Sequence, residues 1–405
     1  MLFYNHLIIS FSPNLRYNLK EKIEKEATMR IIPVNCIKQE TKLAKTIHNA
    51  NGNILLRAGT TLTPSLLEKV KHSGINTVYI DDGYSDVEIE DVIKPELRYA
   101  AVKTIKETFK NIEQDLSKKL SPDRELNKRL EAKVMSKYVD NLKNISDAII
   151  EDIMKSHNLL INVIDIKHLG EYTYEHSLNV AVLSLITGIA LRMNKHDLLT
   201  LFIGAILHDL GKVFIPTSVL EAGEEITTSE YEEYKSHTTQ GYTYVKDNKG
   251  FSATSKIVIL QHHEHYDGTG FPNSLLGKAI HKNARIVSIC NTYDKMVSDS
   301  IGSPAVPANE AIEYIMGNAG TKFDFDIANL FVRRVNPYPI GTLVDLSTRQ
   351  TAVVTDTNVD FPLRPIIQIL ELKNGEVVKG DYIDLLKKTD ITIKKIRYKD
   401  VRDEE

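Results

Sequence analysis

Nine of the chain's 13 histidines, His168, His176, His196, His208, His237, His262, His263, His265 and His281, fall between positions 168 and 281. Imidazole is the commonest protein metal ligand and a general acid or base near neutral pH, so chemistry is to be sought there. Four strings carry the pattern. YTYEHSLNVA holds His176 ahead of the apolar positions Val180, Leu183 and Ile186. ILHDLGKVFIP ends an apolar run on His208-Asp209, with Gly211 to permit a turn and Lys212 after it. YKSHTTQGY contributes His237, and IVILQHHEHYDGTGFP sets His262-His263 before a tight loop, Asp267-Gly268-Thr269-Gly270-Phe271-Pro272. Taken singly, each histidine reads as well as a satisfied core or surface residue. Their company is what points to a site.

Asp209 sharpens that reading. A carboxylate directly behind the run Leu201 to Leu207 is costly to bury unless a cation neutralises it. Adjacent His and Asp at a helix end can aim at one point, and a carboxylate has two oxygens, so Asp209 is able to bridge two ions. Lys212 then offers a cation to a phosphate oxygen. Consecutive histidines point about 100° apart on a helix, so His262 and His263 are both ligands only at a helix end or toward different neighbours. The loop glycines allow backbone amides to approach a substrate. Imidazoles with a carboxylate and no thiolate suit Fe, Mn, Zn or Ni better than Mg or Ca. The reaction class that follows is metal-assisted phosphoester hydrolysis.

The rest of the chain must position these residues. Its 405 residues allow two or three domains, and 42% hydrophobic content can fill their cores. A net charge of −3 argues against a nucleic-acid polymer or a membrane surface as partner. Two cysteines, Cys36 and Cys290, make no disulfide framework and suit a reducing cytoplasm. The apolar stretch Val180 to Met193 is too short to span a bilayer, and the opening MLFYNHLIISF lacks a basic n-region.

Residues 1–28 read as a leader ahead of a start at Met29. Residues 29–82 read as a small α+β module: Asn51-Gly52 marks a hairpin turn, and Thr63-Pro64 opens a short helix closed by Gly74. Residues 83–156 hold an acidic linker and then amphipathic helices. Leu97, Ala101, Ile105, Phe109, Ile112, Leu116 and Leu120 mark one, and Leu130, Val134, Leu142, Ile145, Ile149 and Ile153 the next, which Ser121-Pro122 opens. Two readings stay open for them: packing on the downstream core, or a seam between the subunits of a homodimer. Helical signals continue through 157–337. Beyond Pro337, short β-rich runs with an Asn374-Gly375 turn form a closing unit, 338–405.

The strings YTYEHSLNVA, ILHDLGKVFIP, the single His237 and QHHEHYDGTGFP resemble the HD-GYP family, a branch of the HD phosphohydrolase superfamily, over about residues 157 to 337. The resemblance implies a mainly α protein: a helical metal-binding core, flanked here by the α+β module and the β-rich unit. It implies two divalent transition-metal ions, Fe or Mn foremost with Zn or Ni as alternatives, and hydrolysis of cyclic di-GMP to the linear dinucleotide or onward to GMP. His176, His208 and Asp209 would hold one ion; Asp209 as bridge, with His237, His262 and His263, would hold the other. Asp209 and Lys212 form the catalytic set. Lys212, Asp267, Gly268, Gly270, Phe271 and Pro272 would contact substrate.

The chain departs from the family pattern at several points. Asn291, in ICNTYDKM, stands where the family carries an aspartate ligand, so it is a weak ligand or none. Ser300 replaces an arginine, Phe271 replaces the signature tyrosine, and Tyr172, with Glu171 one place off, occupies the position of a third-metal glutamate. Two alternatives follow: a protein that binds a cyclic dinucleotide or a partner without turnover, as Asn291 and Ser300 would favour, and an HD-type hydrolase of other phosphoesters, which the GTGFP loop disfavours.

Overall fold

A computed structural model describes residues 29–37, 41–48, 53–73, 75, 77–81, 92–117, 124–155, 161–162, 172–223, 226–298, 305–358 and 360–402. The leader reading, the Asn51-Gly52 turn, Gly74, the acidic stretch after Asp81, the Ser121-Pro122 cap, His168, Glu171 and Ser300 lie outside them.

The N-terminal module contains β1 (Arg30–Pro33), β2 (Lys42–Leu43), β3 (Ile47–His48), β4 (Ile54–Leu56), α1 (Pro64–His72) and β5 (Thr77–Asp81). Thr63 caps α1 by accepting from the Leu66 amide, with Pro64 in the first turn, as the local sequence dictates. Antiparallel β3 and β4 flank the expected turn, while β5 sits between β1 and β2. Ile32, Leu43, Leu62, Val70, Ile75 and Ile80 form a core of their own.

The helical unit begins with α2 (Pro95–Ser117) and α3 (Arg124–Lys155). Ala101, Ile105, Phe109 and Ile112 of α2 and Leu142, Ile149 and Ile153 of α3 are buried in the same core as the downstream helices. Of the two readings for these helices, packing onto the chain's own core is the one observed. After β6 (Ile161–Asn162) come α4 (Tyr172–Ala190), α5 (Lys195–Ile206), α6 (Thr217–Leu220), α7 (Thr228–Lys235), α8 (His237–Val245) and α9 (Ala253–Gln261). The unit closes with α10 (Lys282–Val297), α11 (Ala308–Gly317), α12 (Phe325–Val332) and β7 (Val335–Asn336). Parallel pairing of β6 with β7 ties its two ends together.

Helix α4 is buried on every side from Glu175 to Gly188, as a helix apolar around its circumference must be. It packs against α5 and α10. Among the described residues no helix is long and apolar enough to cross a membrane.

The closing unit is an antiparallel sheet in the order β11-β10-β9-β8-β12, from β8 (Leu343–Leu346), β9 (Thr351–Asp356), β10 (Ile366–Lys373), β11 (Glu376–Asp384) and β12 (Ile393–Ile396). Asn374 (φ 55°) and Gly375 (φ 82°) both take positive φ in the turn joining β10 to β11, as the dipeptide predicts. The Arg30 guanidinium donates to the Tyr398 carbonyl at 3.4 Å, linking the first module to the last.

Gly211 has a different role from the turn its sequence implied. It lies in the short 3-10 segment Leu210–Phe214, and its φ is not positive. A Cβ there would fall 1.8 Å from the His237 carbonyl oxygen, so its absence lets this segment lie against the start of α8. Gly211→Ala is expected to cost about 1–3 kcal/mol through forced backbone displacement. Denaturant unfolding checks this, and a variant as stable as the wild type would show that the contact relaxes freely.

Candidate metal centre

Helix ends deliver most of the site. His208 and Asp209 follow the C-terminus of α5, His237 is the first residue of α8, and His262 and His263 follow α9. His176 comes from the first turns of α4. Side chains from chain termini of helices need not share a helical face, which is how the adjacent pairs 208–209 and 262–263 converge.

Asp209, with no exposure, is the hub. Its Oδ2 faces His208 Nε2 at 3.3 Å and His176 Nε2 at 3.7 Å. Its Oδ1 faces His237 Nε2 at 3.5 Å and His262 Nε2 at 3.6 Å. Two overlapping donor sets result, His176-His208-Asp209 and Asp209-His237-His262-His263, each with ligand atoms within 4.8 Å of one another. Lys212 Nζ lies 2.6 Å from Oδ2.

The backbone sets the orientation of three imidazoles. His208, His237 and His262 each point Nδ1 at the carbonyl three residues earlier, Ala205, Tyr234 and Ile259, at 2.7, 2.6 and 3.0 Å. Nδ1–H therefore donates outward and Nε2 turns a lone pair inward. His176 Nδ1 instead meets Asp294 Oδ2 at 2.6 Å. The form with Nδ1–H donating to an ionised Asp294 leaves the His176 Nε2 lone pair toward Asp209, and it is the form that a cation there selects.

Burial depresses the imidazoles, His176 and His237 to about 3 and His262 to about 4, so they are neutral near pH 7. Burial opposes ionisation of Asp209 too, but the adjacent His208 and Lys212 outweigh it and hold the carboxyl well below its usual range. Burial pushes Asp294 up to about 8, against the pull of Asn179 and Arg98.

This donor set fits divalent cations. His237 Nε2 and His262 Nε2 face each other at 3.3 Å, two lone pairs with Asp209 Oδ1 beside both and no donor between them. The buried Nε2 atoms of His208 and His263 and Oδ1 of Asn291 have no hydrogen-bond partner. Buried acceptors converging without donors are expensive unless a cation sits among them. Asn291 lies on α10 beside His176, 3% exposed.

The loop after His263 serves the cluster differently from the expectation that its amides face substrate. Gly268 N donates to His265 O, Thr269 N to Asp267 Oδ1 and Phe271 N to His263 O, so these donors are used within the loop. A Cβ on Gly270 would lie 2.2 Å from His265 N and 2.5 Å from His263 O. The Phe271 ring stacks on His263 with centroids 4.6 Å apart, ahead of Pro272. Buried Glu264 accepts from the amides of Asn273 and Leu275 at 2.7 and 2.9 Å and pins the loop. A cavity of about 330 Å³ adjoins the cluster, lined by His262, His263, Asn291, Thr292, Lys295 and Lys322 among others; Asp267 to Pro272 do not line it.

Of the other histidines, His196 is exposed on α5, His265 bonds Thr269, and His281 caps α10. Sequence reasoning missed Asp294 and Glu264. Asp294 follows Asn291 by three positions on one helix, a spacing that places both on one face.

Residues 158–327 match the family described as "HD domain", and residues 343–400 match "KOW domain associated with HD domain". A cyclic di-GMP phosphodiesterase of Pseudomonas aeruginosa is 31% identical over 245 residues, 60% of this chain and 58% of that protein. The cyclic di-GMP phosphodiesterase PdeB of Borreliella burgdorferi is 26% identical over 230 residues, 56% of this chain and 60% of its own length. The chain thus spans less than two thirds of these relatives. An HDGYP protein from Bdellovibrio bacteriovorus of known structure is 20% identical, with a TM-score of 0.44 over 75% of this chain and 98% of that one.

Because Asp294 orients His176, Asp294→Asn is expected to weaken divalent-metal affinity about 10- to 100-fold. Metal titration followed by elemental analysis tests this, and unchanged affinity would show that Asp294 has no hold on the ligand. The four histidine-bearing strings converge on Asp209 inside the region that matches the HD domain, so the likeness to that family lies where the cluster does.

Proposed function

We propose that this protein is a metal-dependent phosphodiesterase that hydrolyses cyclic di-GMP to the linear dinucleotide and onward toward GMP, as a cytoplasmic second-messenger hydrolase. The observation that carries the reading is the division of Asp209 between two histidine sets, Oδ2 toward His176 and His208, Oδ1 toward His237 and His262. Two ions, iron or manganese, are the occupants that this neutral-imidazole and carboxylate set best accommodates. When bound, such a pair supplies Lewis acidity at a phosphoryl oxygen and a water-derived nucleophile near neutral pH.

The chain's own residues do the rest. Asp209 keeps both donor sets in register and provides the shared negative charge. His263, backed by the stacked Phe271 ring, presents Nε2 from a wall that sheds water. Lys212 holds its proton firmly: burial alone would lower its ammonium, but Asp209 reverses that, leaving a cation at the cluster's edge for a phosphate oxygen. Gly268, Gly270 and Pro272 fix the loop that carries Phe271, and Asp267, bonded to Thr269, shapes its tip. Asn291 supplies a neutral oxygen where a carboxylate would add charge. Binding without turnover is the less favoured reading, because five imidazoles converging on the Asp209 carboxylate are what a hydrolytic centre would need.

Asp209→Ala is expected to lower bound metal at both sets and to reduce cyclic di-GMP hydrolysis by more than about 100-fold, beyond what outer-shell changes cause. Anaerobic loading with Fe or Mn, metal analysis and product chromatography provide the readout. Absence of turnover by the wild type with either metal would overturn the enzyme reading. Asn291→Asp, which adds a charge to the ligand set, is expected to tighten metal binding about tenfold. Equal affinities would show that this position does not face an ion.

A further inference from the structure

The cavity beside the cluster has an unusual charge balance. It is lined by imidazoles, hydroxyls, an amide and two lysines, and by no carboxylate. Lys295 lies one helical turn after Asn291 on α10, so the two share a face. Lys322 enters from the connection between α11 and α12. Both are partly buried, and neither forms an ion pair among the described residues. Lys322 Nζ donates to the Tyr314 hydroxyl at 3.2 Å and lies 5.6 and 5.8 Å from the Tyr314 and Phe323 ring centroids, contacts that bring it no anionic partner.

A partly buried ammonium with no carboxylate paired to it, facing a cavity without acids, is a cost that a fold normally removes with an ion pair. Here the cost rises when the site is working, because cations in the neighbouring His-Asp cluster repel both lysines. An anion between them relieves both penalties. The volume suits one phosphodiester with part of its nucleoside, and Met296 and Val306 supply an apolar wall for the latter.

We infer that Lys295 and Lys322 form a phosphodiester-binding subsite that anchors and orients substrate beside the metal centre. Cyclic di-GMP as its natural occupant rests on the function proposed above; the subsite itself requires only a phosphate-bearing anion. Lys295 acts in binding rather than in bond cleavage. Charge is what it supplies, so arginine is a fair substitute and alanine is not.

The test uses the full-length, metal-loaded protein and Lys295→Ala, Lys295→Arg and Lys322→Ala, with metal content and unfolding midpoint confirmed equal to the wild type. Titration calorimetry with inorganic phosphate, and steady-state kinetics with cyclic di-GMP and bis(p-nitrophenyl) phosphate, give three readouts. Lys295→Ala is expected to weaken phosphate binding and raise KM about tenfold or more, the effect of losing a charge-assisted hydrogen bond. Its kcat stays within about threefold, as loss of uniform binding requires. Lys295→Arg recovers most of the affinity, and Lys322→Ala shifts KM in the same direction. If the wild type ignores cyclic di-GMP but binds phosphate in a Lys295-dependent way, the substrate assignment fails and the subsite stands. If cyclic di-GMP is hydrolysed with the same KM by wild type and Lys295→Ala, the subsite is overturned and the substrate assignment stands. A wild type that binds neither anion also overturns it.

Discussion

A single buried carboxylate governs this molecule. Asp209 has no exposure and sits where α5 runs out, with four imidazole nitrogens within 3.7 Å of its two oxygens. An ionised carboxylate at that depth costs about several kcal/mol unless it is compensated. Lys212 meets one oxygen, but the remaining neighbours are neutral bases with lone pairs pointing the same way. The arrangement has too many acceptors to be a purely structural network, and a cation resolves the excess.

The helical architecture follows from having to hold that excess still. Three of the histidines anchor Nδ1 to a carbonyl of their own preceding turn, so the backbone at each helix end fixes both the tautomer and the direction of Nε2. His176, inside α4, takes a carboxylate from α10 instead. The close contact of Gly211 with His237 and of Gly270 with His263 and His265 brings two backbone segments nearer than any side chain would allow. The glycines therefore set distances between ligands rather than flexibility around them.

Charge also distinguishes the two sides of the centre. Apart from Asp294, which bonds His176 from behind, the cluster holds one carboxylate for five imidazoles, with the amide of Asn291 beside them, and the adjoining cavity is lined by lysines without acids. A site poor in its own negative charge has the greatest use for an anionic ligand. Metal centre and cavity thus form one electrostatic unit in which the ligand supplies what the protein omits.

Much of this was legible in the residues. The Thr63-Pro64 start of α1, the double positive φ at Asn374-Gly375 and the apolar periods of α2 and α3 are local properties, decided within a turn or a few of the chain. The His-Asp and His-His pairs pointed to a cation site because those residue types have few other uses behind apolar runs, and their side chains do converge in the fold. Tertiary structure alone decided the remainder. It joined His176 to Asp294 across 118 positions, turned the loop amides inward, showed that Gly211 is needed for a neighbour's carbonyl, and set Lys295 and Lys322 on a shared wall. Sequence encodes the chemistry of each group and the conformation of its own turn. Which distant group it meets depends on how whole helices pack, and no local pattern contains that.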